Sequence, residues 1–402
     1  MGDGPGKQKV SSILLPEAFH SPLFYLAAVT LFFVISAGLE LALGNRKVGR
    51  LKDVARAAGP DLPGVSLIVA ARNEERNIEQ ALRSLLAQDY PRLEIVVVDD
   101  RSTDTTAAIL DGMSREHTRL KIIHLKELPH GWLGKCHALQ SGSECASGDW
   151  LIFADADIVM EPTVVSRAVA FAIQRKIDHL PIAPVIRLSG FLTNCFAGFF
   201  GAVFNAHYKP WKVGDPKSRY FIGIGAFNMI RADVYRRIGR HRPIAMRPDD
   251  DVMLGKLVKK NGFRQEILFA DDLMSVEWYS SFREMVGGLM KNSFAGAGYS
   301  VSFVVLATIL QLATSLWPFT ALFFTSGTVW LLNAAIVLAL LTVAADSAKY
   351  FGLKFWAGLA YPIGNLLFLY IIWRATFLTL IHDGIDWRGT HYSLKELKAN
   401  KV

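Results

Sequence analysis

Trp150-Leu-Ile-Phe-Ala-Asp-Ala-Asp157 is the stretch whose reading decides the fold. Trp150 to Ala154 is a short apolar run, bounded upstream by Ser147-Gly148-Asp149, and this predicts a buried central strand. In extended backbone, residues i and i+2 point the same way, so the carboxylates of Asp155 and Asp157 converge. Two such charges about 5 Å apart, at an effective dielectric of about 20, repel by roughly 3 kcal/mol. A divalent cation turns that repulsion into attraction. Oxygen ligands suit Mg2+ or Mn2+, which bridge a few carboxylates to substrate phosphates. The expectation is a metal–diphosphate site at the carboxyl end of an α/β sheet, where ligands of such sheets bind. An isolated Asp-x-Asp is more often a pair of solvated acids ahead of a helix, so its surroundings carry the weight.

Those surroundings alternate strand and helix. Val65–Ala71, Leu93–Val98 and Leu120–Leu125 are short apolar runs. Between them, 77–88 has apolar residues at helical spacing, 104–117 opens with Thr103 or Asp104 as N-cap, and 135–146 predicts a third helix. A fourth follows near 163–175. This alternation predicts βαβ units and a parallel sheet. Beyond Pro181 the pattern weakens. Phe191–Tyr208 reads equally as a core helix or one lying in a membrane interface, Tyr220–Ile230 as a glycine-bearing strand or loop, and Asp250–Lys260 as a helix.

Three successive strand ends carry acids: Ala70-Ala-Arg-Asn-Glu-Glu75, Asp99-Asp-Arg-Ser-Thr-Asp104 and Asp155-Ala-Asp157. Carboxylates at one sheet edge suit the hydroxyls and imide N–H of a nucleoside, with a cation handling the phosphates. No Gly-x-x-x-x-Gly-Lys-Ser/Thr loop occurs, and no Gly-x-Gly-x-x-Gly follows the first strand. That argues against a P-loop ATPase and a dinucleotide-binding oxidoreductase.

With 51% hydrophobic residues and a mean hydropathy of +0.26, the 402-residue chain is too apolar for an ordinary soluble enzyme. The excess sits at the two ends. Pro22–Leu43 is long enough to span a bilayer, and Arg46, Lys47, Arg50, Lys52 and Arg56 follow it, placing what comes next in the cytoplasm by the positive-inside rule. Ser281–Ser293 has the pattern of an amphipathic interface helix. Val301–Phe324, Val329–Ala345 and Trp356–Trp373 predict three further spans, two with kinks at Pro318 and Pro362. The layout is a tail (1–21), a span (22–43), a basic linker (44–62), an α/β domain (63–275), an interface helix (276–300), about three spans (301–381) and a tail (382–402). A net charge of +8 favours anionic lipid or phosphorylated substrates, and no nucleic-acid motif is visible. Three spans would put the final tail outside, yet Arg374, Arg388, Lys395, Lys398 and Lys401 prefer the inside; either one span is re-entrant or interfacial, or the positive-inside rule fails here. Cys136, Cys145 and Cys195 have no metal-ligand spacing and suggest reduced thiols.

The chain from Val65 to Asp157 resembles the nucleotide-sugar half of a family 2 glycosyltransferase with a GT-A fold. The matching stretches are Ile68-Val-Ala-Ala-Arg-Asn-Glu-Glu75, Ile95-Val-Val-Val-Asp-Asp-Arg-Ser-Thr-Asp104 and Phe153-Ala-Asp-Ala-Asp157. Pro129-His-Gly-Trp-Leu-Gly-Lys135 resembles the membrane-bound branch with hopanoid-associated, carotenoid and ceramide glycosyltransferases. The resemblance implies a GT-A (Rossmann-like) domain inserted between an N-terminal transmembrane helix and a C-terminal helical membrane region. It implies that Glu74 and Asp100 hold the uracil and ribose of a UDP-sugar, that Asp155 contacts ribose or sugar, and that Asp157 binds Mg2+ or Mn2+. Lys135 would lie near the donor diphosphate. In Asp249-Asp-Asp-Val-Met-Leu254, Asp250 and Asp251 match the acidic pair, with Asp251 as catalytic base of an inverting transfer. An Asp near its reference pKa of about 3.9 is a weak base, so it would accept the proton late. Gly223, Gly225 and Phe227 resemble the acceptor-side loop. The Gln-x-x-Arg-Trp motif of processive synthases is absent: that region reads Leu289-Met-Lys-Asn-Ser-Phe-Ala-Gly296, with Lys291 as a substitute phosphate contact. The implied activity is single-sugar transfer from a nucleotide-sugar donor to a membrane lipid, catalytic side cytoplasmic, in the cell membrane. The alternatives are a polysaccharide synthase and a catalytically silent nucleotide-sugar-binding membrane protein.

Overall fold

The computed structural model describes residues 21–402, so the expected tail at 1–21 lies, apart from Ser21, outside the described residues. The chain opens with α1 (Pro22–Asn45) and strand β1 (Gly49–Arg50). It continues through β2 (Val65–Ala71), α2 (Ile78–Leu86), β3 (Leu93–Asp100), α3 (Thr106–Glu116), β4 (Leu120–Leu125), α4 (Gly134–Cys145) and β5 (Trp150–Ala154). These follow the expected alternation within one or two residues at each end. At the start of α3 the cap is local: Asp104 Oδ1 accepts from the Thr106 N–H at 3.0 Å.

After β5 come β6 (Ile158–Met160), α5 (Val164–Arg175), β7 (His179–Ala183), β8 (Val185–Leu188) and α6 (Phe191–Tyr208). Then follow β9 (Asn228–Arg231), α7 (Ala232–Arg237), α8 (Asp250–Lys260), β10 (Leu268–Phe269), β11 (Met274–Tyr279) and α9 (Phe282–Gly296). An eight-stranded sheet runs β1-β10-β7-β9-β5-β2-β3-β4, and a second, three-stranded sheet runs β6-β11-β8. The large sheet is mixed rather than purely parallel. β5 pairs in parallel with β2, but β9 lies antiparallel between β5 and β7. Asn228-Met-Ile-Arg231 is too short to show a period, which is why the sequence leaves it as strand or loop.

Side chains of the central strands alternate between two apolar layers. Leu67, Val69, Ile152 and Ala154 face one side with Ile78, Leu82 and Val165. Ile68, Val96, Leu151 and Phe153 face the other with Ala138, Leu139, Leu254 and Leu257. Strands covered on both faces must be continuously apolar, and these are. The polar residues therefore begin where the strands end.

The C-terminal region holds α10 (Val301–Gln311), α11 (Trp317–Phe324), α12 (Gly327–Ala348), α13 (Phe355–Leu359) and α14 (Tyr361–Ile381). It ends in strands β12 (Gly384–Trp387) and β13 (Thr390–Ser393) and helix α15 (Leu394–Ala399). Among the described residues, four helical segments are long and apolar enough to cross a membrane: Pro22–Asn45, Val301–Phe324, Gly327–Phe351 and Tyr361–Ile381. Their outer faces carry exposed aromatics such as Phe32, Phe33, Phe323 and Phe324. The expected kinks are resolved differently. A π-helical turn over Leu312–Leu316 precedes Pro318, which sits in the first turn of α11. Pro362 opens α14, where a missing N–H costs nothing, and the expected span 356–373 is split into α13 and α14.

The segments on either side of α14 pack on the α/β domain. At the end of α12, Tyr350 packs on Phe269 of β10 with ring centroids 5.2 Å apart. α13 joins the same cluster through Ala357. Beyond α14, the Tyr392 hydroxyl of β13 accepts from the Gly134 N–H at 3.2 Å. Between those segments α14 runs along α6 and α9, with Ile371 packed among Phe196, Met285 and Leu289. α6, read equally as core or interface, buries Cys195, Phe196 and Phe199 against these helices.

Candidate active site

Glu74, Asp100, Asp155, Asp157, Asp250 and Asp251 line one cleft of about 850 Å³. Asp155 and Asp157 follow β5 directly. Lys135 comes from the first turn of α4, and its Nζ donates to Asp155 Oδ1 at 2.7 Å and lies 3.7 Å from Asp250 Oδ1. Gly134 permits this approach: a Cβ there would strike the Asp100 carboxylate. Asp250 and Asp251 occupy the first turn of α8, where a helix N-terminus favours negative charge. Asp251 Oδ2 accepts from the Gly225 N–H at 2.7 Å, and the Asp251 carbonyl accepts from Asn228 Nδ2 at 3.3 Å. Asp249 turns away, held in a two-pronged pair by Arg247 at 2.8 and 2.7 Å.

The electrostatics separate these acids. Burial pushes the Asp251 carboxyl up to about 7, with Asp250 adding to it, so it is a far better proton acceptor than an ordinary Asp. Asp157 is also pushed up to about 7, by burial first and then by the charges of Asp155 and Glu74. Asp250 is raised by burial, against the pull of Lys135. Burial would raise Asp155 too, but Lys135 outweighs it and the carboxyl stays below its usual range. Burial would lower Lys135, yet Asp155, Asp250 and Asp251 together hold it well above its ordinary value. Burial, reinforced by Lys135, lowers Lys291 to about 8.

Glu74 follows β2 and is raised by burial, opposed by its ion pair with Arg388. Asp100 accepts from Arg101 at 2.8 and 3.1 Å, with Arg72 at 3.5 Å. Gly223 and Gly225 line the cleft. Phe227 does not: it is fully buried in the core of the sheet. At Gly225 a Cβ would stand 2.8 Å from Asp155 Oδ2, so only glycine lets the two acidic groups approach. Arg388, Trp387 and Tyr392 also line the cleft and were missed, because the sequence past His382 reads only as a polar, mildly basic tail. The available signal was Trp387-Arg-Gly-Thr390, a two-residue turn flanked by strand-like residues.

A Mg2+ or Mn2+ ion needs hard oxygen ligands. Asp155 and Asp157 supply carboxylate oxygens from one strand exit. Among the described residues no group of three or more His, Cys, Asp or Glu is placed to cage an ion. So small a set suits a hard cation that takes its remaining ligands from phosphates and water. The crowded charge at Asp157 is the kind a cation relieves.

The same cleft changes character along its length. At the sheet edge it is lined by acids and lysines. Toward the helical region it is lined by Ile186, Phe200, Phe204, Trp278, Met290 and Leu378.

Residues 66–238 match the model of the family described as Glycosyl transferase family 2. Over that segment the chain is similar to family 2 glycosyltransferases. Over 111 residues it is 37% identical to a beta-monoglucosyldiacylglycerol synthase of Synechocystis sp., covering 27% of this chain and 23% of that one. Over 143 residues it is 27% identical to a poly-beta-1,6-N-acetyl-D-glucosamine synthase of Staphylococcus epidermidis, covering 36% and 33%. The chain spans about a quarter to a third of the length of these curated relatives. Among solved structures it resembles a mannosyltransferase from Pyrobaculum calidifontis in complex with GDP-Man and Mn2+. That match has TM-score 0.52 at 21% identity and covers 90% of this chain and 99% of the other. The likeness shows that the α/β domain has a GT-A-like fold.

Proposed function

We propose that the protein is an inverting glycosyltransferase that moves one sugar from a nucleotide-sugar donor to the hydroxyl of a membrane lipid. The observation that carries this reading is the single cleft that joins an acidic sheet edge to an apolar wall built by α6, α9, β11 and α14. A lipid can reach the charged end along that wall without leaving the bilayer. Similarity to a glucolipid synthase supports the lipid acceptor, and the missing Gln-x-x-Arg-Trp supports single transfer over polymer synthesis.

In this reading Glu74, Asp100 and Asp155 hold the nucleoside and sugar of the donor, with UDP as the nucleotide. Asp251, raised to about 7, takes the proton of the acceptor hydroxyl while that oxygen forms its bond to the anomeric carbon. The bond from the anomeric carbon to the diphosphate breaks on the opposite face, which inverts the centre. Lys135 stabilises the charge developing on the departing nucleoside diphosphate, and Asp250 holds Lys135 from the other side. A Mg2+ or Mn2+ ion bound by Asp157, beside Asp155, would supply further charge neutralisation on the same phosphates. The catalytic domain faces the cytoplasm, next to the basic linker that follows α1.

The test is donor turnover by purified full-length protein in detergent with bacterial lipid extract. Labelled UDP-glucose, UDP-galactose, UDP-N-acetylglucosamine and GDP-mannose are supplied with Mn2+ or Mg2+, and Asp251→Asn is run alongside. Label in a discrete lipid band, lost in the variant and on chelation, is the expected result. Label in high-molecular-mass material would replace single transfer by polymer synthesis. Donor binding without turnover would favour a catalytically silent protein.

A further inference from the structure

We propose that Arg388, at the tip of the C-terminal hairpin, binds the donor diphosphate together with Lys291. The proposal rests on the nucleotide-sugar reading above and adds to it two cations from outside the family 2 domain.

The hairpin is built to present Arg388. The pairs Gly384–Ser393 through Trp387–Thr390 leave Arg388 and Gly389 as a two-residue turn, with φ of 48° and 78°. Such a turn needs positive φ at both positions and normally takes Asn-Gly or Gly-Gly. An arginine there is crowded against its own backbone, and residues held so cluster at functional sites. The root of the hairpin is fixed on the site: Tyr392 bonds Gly134, the residue before Lys135, and Leu394 and Leu397 pack with Trp132 and Leu133. The tip reaches the cleft, where the Arg388 guanidinium pairs with Glu74 across 314 positions of sequence.

Lys291 supplies the second observation. Its ammonium lies 4.0 Å from the ring centre of Trp387, the neighbour of Arg388, and no ion pair to a carboxylate is found for it among the described residues. Burial, Lys135 and Arg388 disfavour its charge, and Asp155 and Asp250 only partly offset them. A cation so placed calls for an anion. Lys135, Lys291 and Arg388 all line the same cleft. A guanidinium with two parallel donors next to two ammonium groups matches a diphosphate better than it matches a neutral sugar or a nucleobase. The pair with Glu74 is exchangeable, since a diphosphate carries more charge than one carboxylate.

The experiment compares UDP with uridine as calorimetric probes of the full-length protein in detergent with Mn2+. Arg388→Gly keeps the turn, because glycine favours positive φ, and removes the side chain that carries the guanidinium. UDP affinity should fall about tenfold or more, uridine affinity should stay unchanged, and thermal unfolding should not shift downward. Lys291→Met should weaken UDP in the same selective way. UDP binding at wild-type strength in both variants overturns the proposal. Equal losses for UDP and uridine also overturn it, since the hairpin would then act on the nucleoside. If the wild type binds neither UDP nor GDP, the nucleotide-sugar reading itself falls and this proposal with it.

Discussion

The backbone N–H of Gly225 donates to Asp251 Oδ2 at 2.7 Å, which ties the loop before β9 to the first turn of α8. The bond fixes one carboxylate oxygen and aims the other. Asp251→Asn should therefore reduce transfer by about 10²- to 10⁴-fold, the usual range for loss of a general base. Its effect on stability should have the opposite sign. The unfolded carboxyl ionises near 3.8 and the folded one near 7, so between those values the folded state binds more protons, and this group's contribution falls as pH rises. The variant should thus gain on the wild type in thermal unfolding as pH is raised from 4 to 8. A difference in melting temperature that stays constant, or moves against the variant, from pH 4 to pH 8 would contradict the raised carboxyl.

Activity of the wild type should rise with pH through about 7, because Asp251 accepts a proton only when ionised. The profile to measure is single-turnover sugar transfer under saturating donor. A rate already flat from pH 5 upward would mean that the base ionises like an ordinary Asp.

Gly225→Ala tests the geometry without touching charge. Its Cβ would lie 2.8 Å from Asp155 Oδ2, too close for that carboxylate to stay in place, while Asp251 Oδ2 at 3.4 Å is left in ordinary contact. Transfer should fall at least tenfold while the melting temperature changes by no more than a few degrees. Unchanged kcat would show that the position of the Asp155 carboxylate is not critical.

Lys135 holds Asp155 and Asp250 together, with side chains 23%, 37% and 5% exposed. Removing one partner of a fully buried pair costs 3–5 kcal/mol, and partial exposure of Asp155 reduces this to about 1–2 kcal/mol for Lys135→Met. Adding Asp155→Asn to Lys135→Met should recover part of that loss, because an uncompensated charge disappears. Equilibrium unfolding of the two variants measures this directly. A double variant less stable than the single one would rule out the charge argument.

The strands that deliver Glu74, Asp100, Asp155 and Asp157 were legible because each is an apolar run ending abruptly in acids, and burial on both faces demands that pattern. Asp251 was legible through the match of Asp249-Asp-Asp-Val-Met-Leu254, although its shifted ionisation was not, since burial is set by the cleft. Phe227 was misplaced: two residues from a cleft-lining glycine, it turns into the core because β9 begins beside it. Arg388 was missed because its partner Glu74 is 314 positions away, and no local period records such a contact.

Both the end of α12 and the segment after α14 contact the catalytic domain, so the final tail should lie on that domain's side of the membrane. This would reconcile the basic residues of the tail with the number of apolar helices: α1, α10–α11 and α12 cross, and α14 lies along α6 and α9. Cysteine accessibility in sealed vesicles decides it. Cys145 is exposed on the catalytic domain, while Cys136 and Cys195 are buried. A cysteine at the exposed Lys398 should react with a membrane-impermeant thiol reagent from the same side as Cys145, and one at the exposed Ser326, between α11 and α12, from the opposite side. The variants are made in a Cys145→Ser background. If the 398 site instead reacts together with the 326 site, α14 crosses the bilayer and the tail cannot reach Glu74 in the membrane-bound protein.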